Sequence, residues 1–310
     1  MKALIRKFLT GNIPVREYAT VTVPGEINEL VYLEINNRKL DVTKNQWVFC
    51  LEPLVFGIWV EDEQVRLLLL EEKKCKLIFY NSDSFRNKTA VANLEMRETI
   101  KEADGMLFLM ALTSSNIHAL GLIKTQILFR RYYKKPGLSF KKLKSFVTAY
   151  SYPRKVRLIS FKSGDHYNIF PMDLIGELRS INRVGFGLRH TNRTLSRIIE
   201  EKKIVASEIS YDHKNTIYNL GSHHSSAPPS VSDLPFKVTI SNTFGFYVPE
   251  WAASYKEIKI IRTIDLGSHM LLWGEIVNET VKEVSVKSLY HIHFLHYLHQ
   301  KKKGIDHPLV

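Results

Sequence analysis

The chain has 310 residues, of which 45% are hydrophobic, enough for two ordinary domains or one large one with packed cores. Its 14 tyrosines and 16 phenylalanines lie among runs of Val and Ile, which predicts a mainly β protein with a few short helices. The first apolar stretch contains cations, and no apolar run approaches the roughly 18–20 residues of a membrane span. We therefore expect a cytoplasmic protein with no membrane partner.

The net charge of +13 raises the question of a nucleic-acid partner. The densest basic patch covers residues 130–144, but no helix-turn-helix, zinc-finger or RNP-like signature accompanies it. A solvated linker explains the patch, and a basic protein also attracts anionic cofactors and pyridine nucleotides. Binding of nucleic acid or an acidic partner through this patch ranks as a lower alternative. Cys50 and Cys75 lack CxxC spacing and are predicted to be buried free thiols.

Alternating or continuous apolar patterns predict strands along most of the chain. The clearest are residues 30–35, 47–51, 55–60, 65–70, 76–80, 156–161, 184–188 and 236–240. Helical spacing is clearest at Leu195, Ile198 and Ile199, with Thr191 or Asn192 as the cap. Residues 134–144 read as a linker, because Pro-Gly stops regular structure and lysines follow it. This predicts one domain at 1–146 and a second domain at 147–310.

The two halves contain similar segments in the same order, with a period of about 165 residues. Residues 98–109 match 262–273, residues 127–137 match 293–304, and residues 54–59 occupy the place of 183–188. Chance similarity between β-rich segments is the alternative. A true duplication predicts two related barrels that pack as an internal pseudo-dimer.

Residues 163–194 combine an apolar turn with a cluster of cations and hydroxyls at the start of a helical pattern. Such a cluster favours a phosphate, because helix N-termini present free N–H groups and arginines add charge-assisted hydrogen bonds. With the run at 266–276, in which Ser268 replaces an Asp, this half resembles the flavin reductase-like family. The resemblance covers about residues 148–300, and members of that family fold as an FMN-binding split β-barrel. It implies that 147–310 is such a barrel and that 1–146 is a degenerate split-barrel-like domain.

The resemblance implies that FMN is the cofactor and that NAD(P)H or another electron donor is the partner. It places the flavin ring along a turn and the phosphate at the helix start, with a nearby loop approaching flavin or substrate. The implied turn residues are Asn168, Ile169, Phe170, Pro171, Met172, Asp173 and Leu174. The implied phosphate residues are Arg189, Asn192, Arg193 and Thr194, and the loop residues are Gly221, Ser222 and His223.

The loop lacks the Arg-Asp pair that is usual in the family, so no catalytic residue follows from the resemblance. His224 and His269 are the titratable candidates, and the paired histidines lack a third ligand at the spacing of a metal site. On a strand, His291 and His293 share a face, which fits an ordinary half-buried edge, with adventitious binding of a divalent metal as the alternative. We therefore expect no bound metal.

The first half reads Glu61-Asp62-Glu63 where the second half has its phosphate cluster, and these carboxylates would repel a phosphate. The family commonly forms homodimers with flavin near the interface, so an internal partner can replace the second subunit, and homodimerisation stays open. The sequence thus predicts one flavin site per chain in a flavin reductase-like oxidoreductase. The alternative is a protein that holds FMN or another planar anion without turnover.

Overall fold

The computed structural model describes residues 9–11, 13–23, 27–81, 88–221, 229–283 and 285–302. The fold is mainly β with short helices, as predicted. Its strands are β1 (Tyr18–Thr22), β2 (Leu30–Ile35), β3 (Arg38–Asp41), β4 (Gln46–Leu51), β5 (Leu54–Val60), β6 (Lys74–Tyr80), β7 (Lys88–Lys101), β8 (Met106–Ile117), β9 (Arg154–Lys155), β10 (Arg157–Ser163), β11 (His166–Met172), β12 (Ile175–Leu178), β13 (Arg183–Arg189), β14 (Lys203–Glu208), β15 (Val238–Ile240), β16 (Tyr247–Pro249), β17 (Ser254–Asp265), β18 (His269–Val281) and β19 (Leu289–His293). Its helices are α1 (Glu63–Glu72), α2 (Leu122–Leu128), α3 (Phe140–Ala149), α4 (Leu195–Glu201), α5 (Lys214–Leu220) and α6 (Phe294–Lys302). Within the described ranges, no helix has the length and apolarity needed to cross a membrane.

Two seven-stranded antiparallel sheets dominate the molecule, and they have the same strand order. The first runs β3-β2-β6-β7-β8-β5-β4, and the second runs β11-β10-β14-β17-β18-β13-β12. Helix α1 follows β5 in the first half as α4 follows β13 in the second. The two halves therefore share one topology, and each sheet surrounds a hydrophobic core of its own.

Strand register relates the two halves residue by residue. Thr99 pairs with Phe108 in the first half, and Thr263 pairs with Leu272 in the second, as the match of 98–109 with 262–273 requires. On the next strand, Gly57 pairs with Leu109 and Gly185 pairs with Trp273. Gly57 therefore corresponds to Gly185. The predicted match of 54–59 with 183–188 is wrong by one residue, because it sets Gly57 against Phe186.

The predicted strand at 65–70 is wrong, because these residues belong to helix α1. The Asp62 side chain accepts a hydrogen bond of 2.8 Å from the Val65 backbone N–H and caps the helix, and Lys73 ends it in a left-handed conformation. Only Val65 and Leu69 of this apolar run are buried, four residues apart on one helix face, while Leu67 is 60% exposed. Exposed leucines on the solvent side of the helix made the apolar run resemble a continuously buried strand.

The predicted linker at 134–144 is irregular only as far as residue 139, and its second part belongs to helix α3. Ser139 caps α3 by accepting a hydrogen bond of 3.1 Å from the Lys142 backbone N–H, and Leu143 and Val147 are buried on the inner face of the helix. They pack with α6 and β19 in a common core, so the boundary predicted at 146 falls inside a buried helix. Strand β1 pairs with β19, and β19 pairs with β9, so one small sheet joins both halves.

A buried apolar layer joins the two seven-stranded sheets, with Phe49 of β4 at its centre. A Cβ atom on Gly57 or Gly185 would lie 2.1 Å or 2.8 Å from the Phe49 ring. Cys50 is in the same layer, and both Cys50 and Cys75 are buried free thiols, as predicted. Because glycines of both halves enclose the Phe49 ring, the two halves are packed directly against each other and are not merely connected by a flexible linker.

Candidate functional site

A cavity of about 330 Å³ lies where the two halves and the small sheet meet. Its walls come from β1, β4, β11, β13, β18 and β19. The lining residues are Glu17, Tyr18, Leu51, Tyr150, Phe170, Pro171, Met172, Asp173, Leu174, Gly187, Leu188, Arg189, Asn192, Gly221, His269 and His291. Nine of the sequence-predicted site residues thus meet at one place: Phe170, Pro171, Met172, Asp173, Leu174, Arg189, Asn192, Gly221 and His269.

The apolar wall is built by β11, which is the edge strand of the second sheet. Pro171 is tolerated there because an edge strand needs no N–H on its outer side. The same edge leaves a row of backbone polar groups outside the sheet ladder, where a planar polar ring can be bound. The predicted turn at 168–174 is wrong in extent. Residues as far as Met172 are strand, and only Asp173 and Leu174 connect β11 to β12.

The cationic end of the cavity is formed by Arg189 and Asn192. Arg189 is exposed at the end of β13, and its guanidinium has no carboxylate partner in the described ranges. The Asn192 side chain is buried, and its Oδ1 accepts a hydrogen bond of 2.8 Å from the Thr194 backbone N–H. Thr194 occupies the cap position of α4 without a side-chain capping bond, so the predicted caps Thr191 and Asn192 are wrong. Because α4 has seven residues, the arginine supplies more positive charge here than the helix does.

Four other predicted residues lie outside the cavity lining. Asn168 and Thr194 are buried beneath it, and the Asn168 amide donates a hydrogen bond of 2.9 Å to the Thr194 hydroxyl. Ile169 packs in a separate core that includes Leu220 of α5, and Arg193 is exposed beside the cavity. Three further candidates, Ser222, His223 and His224, fall outside the described residues.

His269 lies at the start of β18 and is 2% exposed. Burial and the neighbouring Arg189 charge lower its pKa to about 4, so the imidazole is neutral near pH 7. Its Nδ1 is 2.8 Å from the Ser268 hydroxyl and 3.6 Å from the Cys50 sulfur of the first half. A neutral ring held this way offers a hydrogen bond to a ligand rather than a positive charge.

Sequence reasoning missed a polar network at the opposite wall. The Asp173 carboxylate and the His291 Nδ1 are 2.7 Å apart, and His291 Nε2 contacts the Tyr218 hydroxyl. Burial would raise the pKa of Asp173, but hydrogen bonds and the charge of His291, with help from Tyr150, hold it below its ordinary value. The hydrogen bonds of the Asp173 carboxylate are therefore made within this network. No local pattern signals a pair of residues 118 positions apart.

The histidine strand β19 is the central strand of the small sheet, so the predicted edge position is wrong. His293 is 1% exposed, and its Nδ1 accepts a hydrogen bond of 3.1 Å from the Leu295 backbone N–H. Across the described ranges, no group of three His, Cys, Asp or Glu side chains is placed to hold a metal ion.

The matching place in the first half differs at three positions. Val60 pairs with Met106, and Leu188 pairs with Met270. Val60 therefore corresponds to Leu188, and the next residue, Glu61, corresponds to Arg189. By the same register, Trp59 replaces Gly187 and Gly105 replaces His269. A Cβ on Gly105 would lie 2.6 Å from the Trp59 ring. The Trp59 indole thus lies where a side chain at position 105 would begin, and its N–H donates to the Glu61 carboxylate at 2.9 Å.

No protein-family model matches the chain, and no curated protein is similar to it. Solved structures to which it is similar are those of FMN-binding and flavin reductase proteins, over a little less than half of its length. An FMN-binding protein from Thermus thermophilus with bound p-hydroxybenzaldehyde is 20% identical over 43% of this chain and 74% of its own, with a TM-score of 0.38. An NADH:FAD oxidoreductase of Streptomyces globisporus is 15% identical over 48% of this chain and 88% of its own, with a TM-score of 0.43.

The flavin reductase component of a bacterial two-component tryptophan halogenase is 12% identical over 47% of this chain and 90% of its own. Its TM-score is 0.42. At such identities a shared fold does not imply a shared function, which has to be argued from the site.

Proposed function

We propose that the chain is an FMN-binding flavoprotein of the flavin reductase-like kind, reduced by NAD(P)H or another electron donor. The observation that carries this proposal is the cavity at the junction of the halves. It combines an apolar wall on an edge strand with an arginine that lacks a carboxylate partner among the described residues. A flavin has the matching chemistry, with a flat apolar ring, a polar ring edge and a phosphate dianion.

The residues present fit that cofactor by their donor set. Phe170 and Met172 of one half and Leu51 of the other would exclude water from the ring. Arg189 and Asn192 would hold the phosphate, with Arg193 beside them, because one guanidinium group can donate two parallel hydrogen bonds to two oxygens of a phosphate. The outer edge of β11 would hydrogen-bond the polar ring edge. A bound flavin would supply the two-electron redox chemistry, and the chain binds it, orients it and shields it from water.

We further propose that the two halves arose by duplication and that the first half now serves as the internal partner of the second. Their identical strand order supports this reading. The first half contributes Leu51 and Tyr18 to the cavity wall, while its own equivalent place has Glu61 instead of Arg189, with the Trp59 N–H bonded to the Glu61 carboxylate. One flavin site per chain follows. In this arrangement the junction inside one chain takes the place of an interface between two subunits.

The experiment is an absorbance spectrum of the protein as purified, followed by titration with FMN. We expect flavin bands, or a gain in thermal stability on adding FMN. Arg189→Glu should weaken FMN binding about 10-fold to 100-fold, since a charged hydrogen bond contributes about 1.5–3 kcal/mol. Arg197→Glu is the matched control, because Arg197 is exposed on α4 and does not line the cavity.

Riboflavin, which lacks the phosphate, should bind wild type and Arg189→Glu equally. A colourless protein that gains no stability from FMN contradicts the proposal. Equal FMN affinity of wild type and Arg189→Glu contradicts the phosphate assignment. Bleaching of the flavin bands by NAD(P)H separates a reductase from a protein that only holds the flavin.

The basic patch does not favour a second function. Lys142 forms an ion pair of 2.7 Å with Glu52, and Lys144 donates a hydrogen bond of 3.2 Å to the Ser115 carbonyl. Both lysines belong to the helix α3 that packs into the core between the halves. Part of the patch therefore stabilises the fold rather than facing a partner.

A further inference from the structure

A second cleft between the two halves has no role in the proposed flavin site. It has a volume of about 400 Å³ and lies between β4 of the first half and β9, β10 and β12 of the second. It shares no lining residue with the first cavity. The lining side chains that matter here are Lys44, Gln46, Arg154, Arg157 and Glu177.

Arg154 is a buried cation with no counter-ion among the described residues. It is 4% exposed, and no carboxylate oxygen lies within 4.0 Å of it in that part of the chain. Its Nε donates to the Ala149 carbonyl at 2.9 Å and its Nη1 donates to the Gln46 carbonyl at 3.3 Å, which leaves Nη2 without a partner there. Burial lowers its pKa to about 10, so it stays charged at neutral pH. A buried charge is normally paired, because desolvation is costly.

Gln46 is the second unsatisfied group at the same place. It is 2% exposed, and neither the oxygen nor the nitrogen of its amide has a hydrogen-bond partner among the described residues. Buried polar atoms are rarely left in this state, and a ligand that binds at the same place would supply the absent partners. The ligand must then both accept and donate hydrogen bonds, since the amide offers one group of each kind.

The charges around the cleft favour an anion. Glu177 is the carboxylate among its lining residues, and it already pairs with Arg157 at 3.0 Å and with Arg179 at 2.9 Å. Lys256 contacts the same carboxylate, so its charge is more than balanced. Lys44 is exposed at the cleft. Glu29 and Asp41 act on Tyr152 from outside the lining, whereas Arg154 and Lys44 have no ion-pair partner among the described residues; the aromatic ring of Tyr152 lies 5.5 Å from the Arg154 guanidinium.

We propose that this cleft is a second ligand site, which binds a phosphate group that carries at least one P–OH, either as free phosphate or as a phosphate monoester. Its oxygens would accept hydrogen bonds from Arg154, Lys44 and the Gln46 amide nitrogen. Its P–OH group would donate to the Gln46 amide oxygen. A phosphate of this kind supplies the missing counter-ion of Arg154 and both missing partners of Gln46.

The test is calorimetric titration of the full chain with inorganic phosphate at pH 6 and constant ionic strength. Sulfate is the comparison anion, because it has oxyanion geometry but no hydroxyl at this pH. The titration is done in the Arg189→Glu background, so that the proposed flavin-phosphate site does not contribute. We expect one phosphate per chain, bound at least 10-fold more tightly than sulfate. Phenyl phosphate in a parallel titration distinguishes a monoester from free phosphate.

Lys44→Glu should weaken phosphate binding about 10-fold, while Lys101→Glu, an exposed lysine outside the cleft, should leave it unchanged. Gln46→Met, which keeps the side-chain length, should remove the preference for phosphate over sulfate. Lys44 is exposed, so its variant tests the site even where Gln46→Met fails to fold. Equal binding of phosphate and sulfate by wild type overturns the proposal. Unchanged phosphate affinity in Lys44→Glu overturns it as well.

Discussion

Replacing Gly187 by Ala tests whether the two halves pack directly on each other. A Cβ at this position would lie 1.9 Å from the carbonyl oxygen, 2.6 Å from the carbonyl carbon and 2.9 Å from the Cα of Phe49. These are backbone atoms of β4, which cannot rotate away as a side chain can. Strand β13 would have to move away from β4 by more than an ångström for an ordinary contact, and the layer around Phe49 would open with it.

Overpacking of a core typically costs about 1–3 kcal/mol, and a clash with backbone belongs at the upper end. At about 2–4 °C per kcal/mol for a chain of this size, Gly187→Ala should lower Tm by about 6–12 °C. The free energy of unfolding is measured by urea denaturation, with tryptophan fluorescence as the signal, because Trp47 and Trp273 lie close to the junction.

Gly221→Ala is the matched control. Among the residues that the structure describes, its Cβ would meet only the Pro171 ring at 3.5 Å, an ordinary contact, and Gly221 has helical φ and ψ. We expect this variant to unfold at the wild-type urea concentration or slightly above it. A Gly187→Ala protein as stable as wild type would mean that β13 does not lie against β4, and the internal pseudo-dimer would lose its main support.

Three other buried groups, two histidines and one glutamate, make stability depend on pH and on charge. Burial lowers the pKa of His293 to about 3 and that of His269 to about 4, from ordinary values near 6.5. Both are protonated more readily in the unfolded chain, so stability is full above about pH 6.5 and falls towards pH 4, by about 1.4 kcal/mol per unit of pKa difference. His293→Asn, which keeps an acceptor for the Leu295 N–H, should flatten this slope in urea unfolding from pH 8 to 4, and an unchanged slope would refute the assignment. Glu257 is fully buried and accepts hydrogen bonds from the backbone N–H groups of Thr243 and Phe244, so Glu257→Gln should cost about 1–3 kcal/mol in the same assay. The exposed Glu200→Gln should cost nothing measurable, and equal stability of both variants would contradict the prediction.

Local patterns predicted the elements whose burial alternates along the chain, and they failed where the solvent side is also apolar. Residues 30–35 alternate between buried and half-buried positions and form β2 as predicted. The run at 65–70 failed because Leu67 and Leu70 face solvent, although Asp62 was a visible helix cap. The linker prediction failed from residue 140 onwards for a related reason, since the lysines of α3 hid the buried stripe of Leu143 and Val147.

Pairs far apart in sequence were beyond prediction from local patterns. One wall of the cavity forms because Asp173 contacts His291, and because β1 near the start of the chain pairs with β19 near its end. Each of these residues has an ordinary neighbourhood in the sequence. Their contact depends on how two barrels and a small sheet pack, which hydrophobic periodicity within one strand does not encode.

The asymmetry between the halves was only partly visible in the sequence. The charge difference at the end of β5 and β13 was visible as Glu61 to Glu63, and the register now sets Glu61 in the place of Arg189. The steric difference was hidden, because the predicted match of the two strands was wrong by one residue. With the correct register, Trp59 replaces Gly187, which packs against the Phe49 backbone, and Gly105 beneath the Trp59 indole replaces His269. Both changes act in the same direction, since one replaces a cavity-lining histidine by a glycine that the Trp59 ring covers and the other removes the attraction for a phosphate.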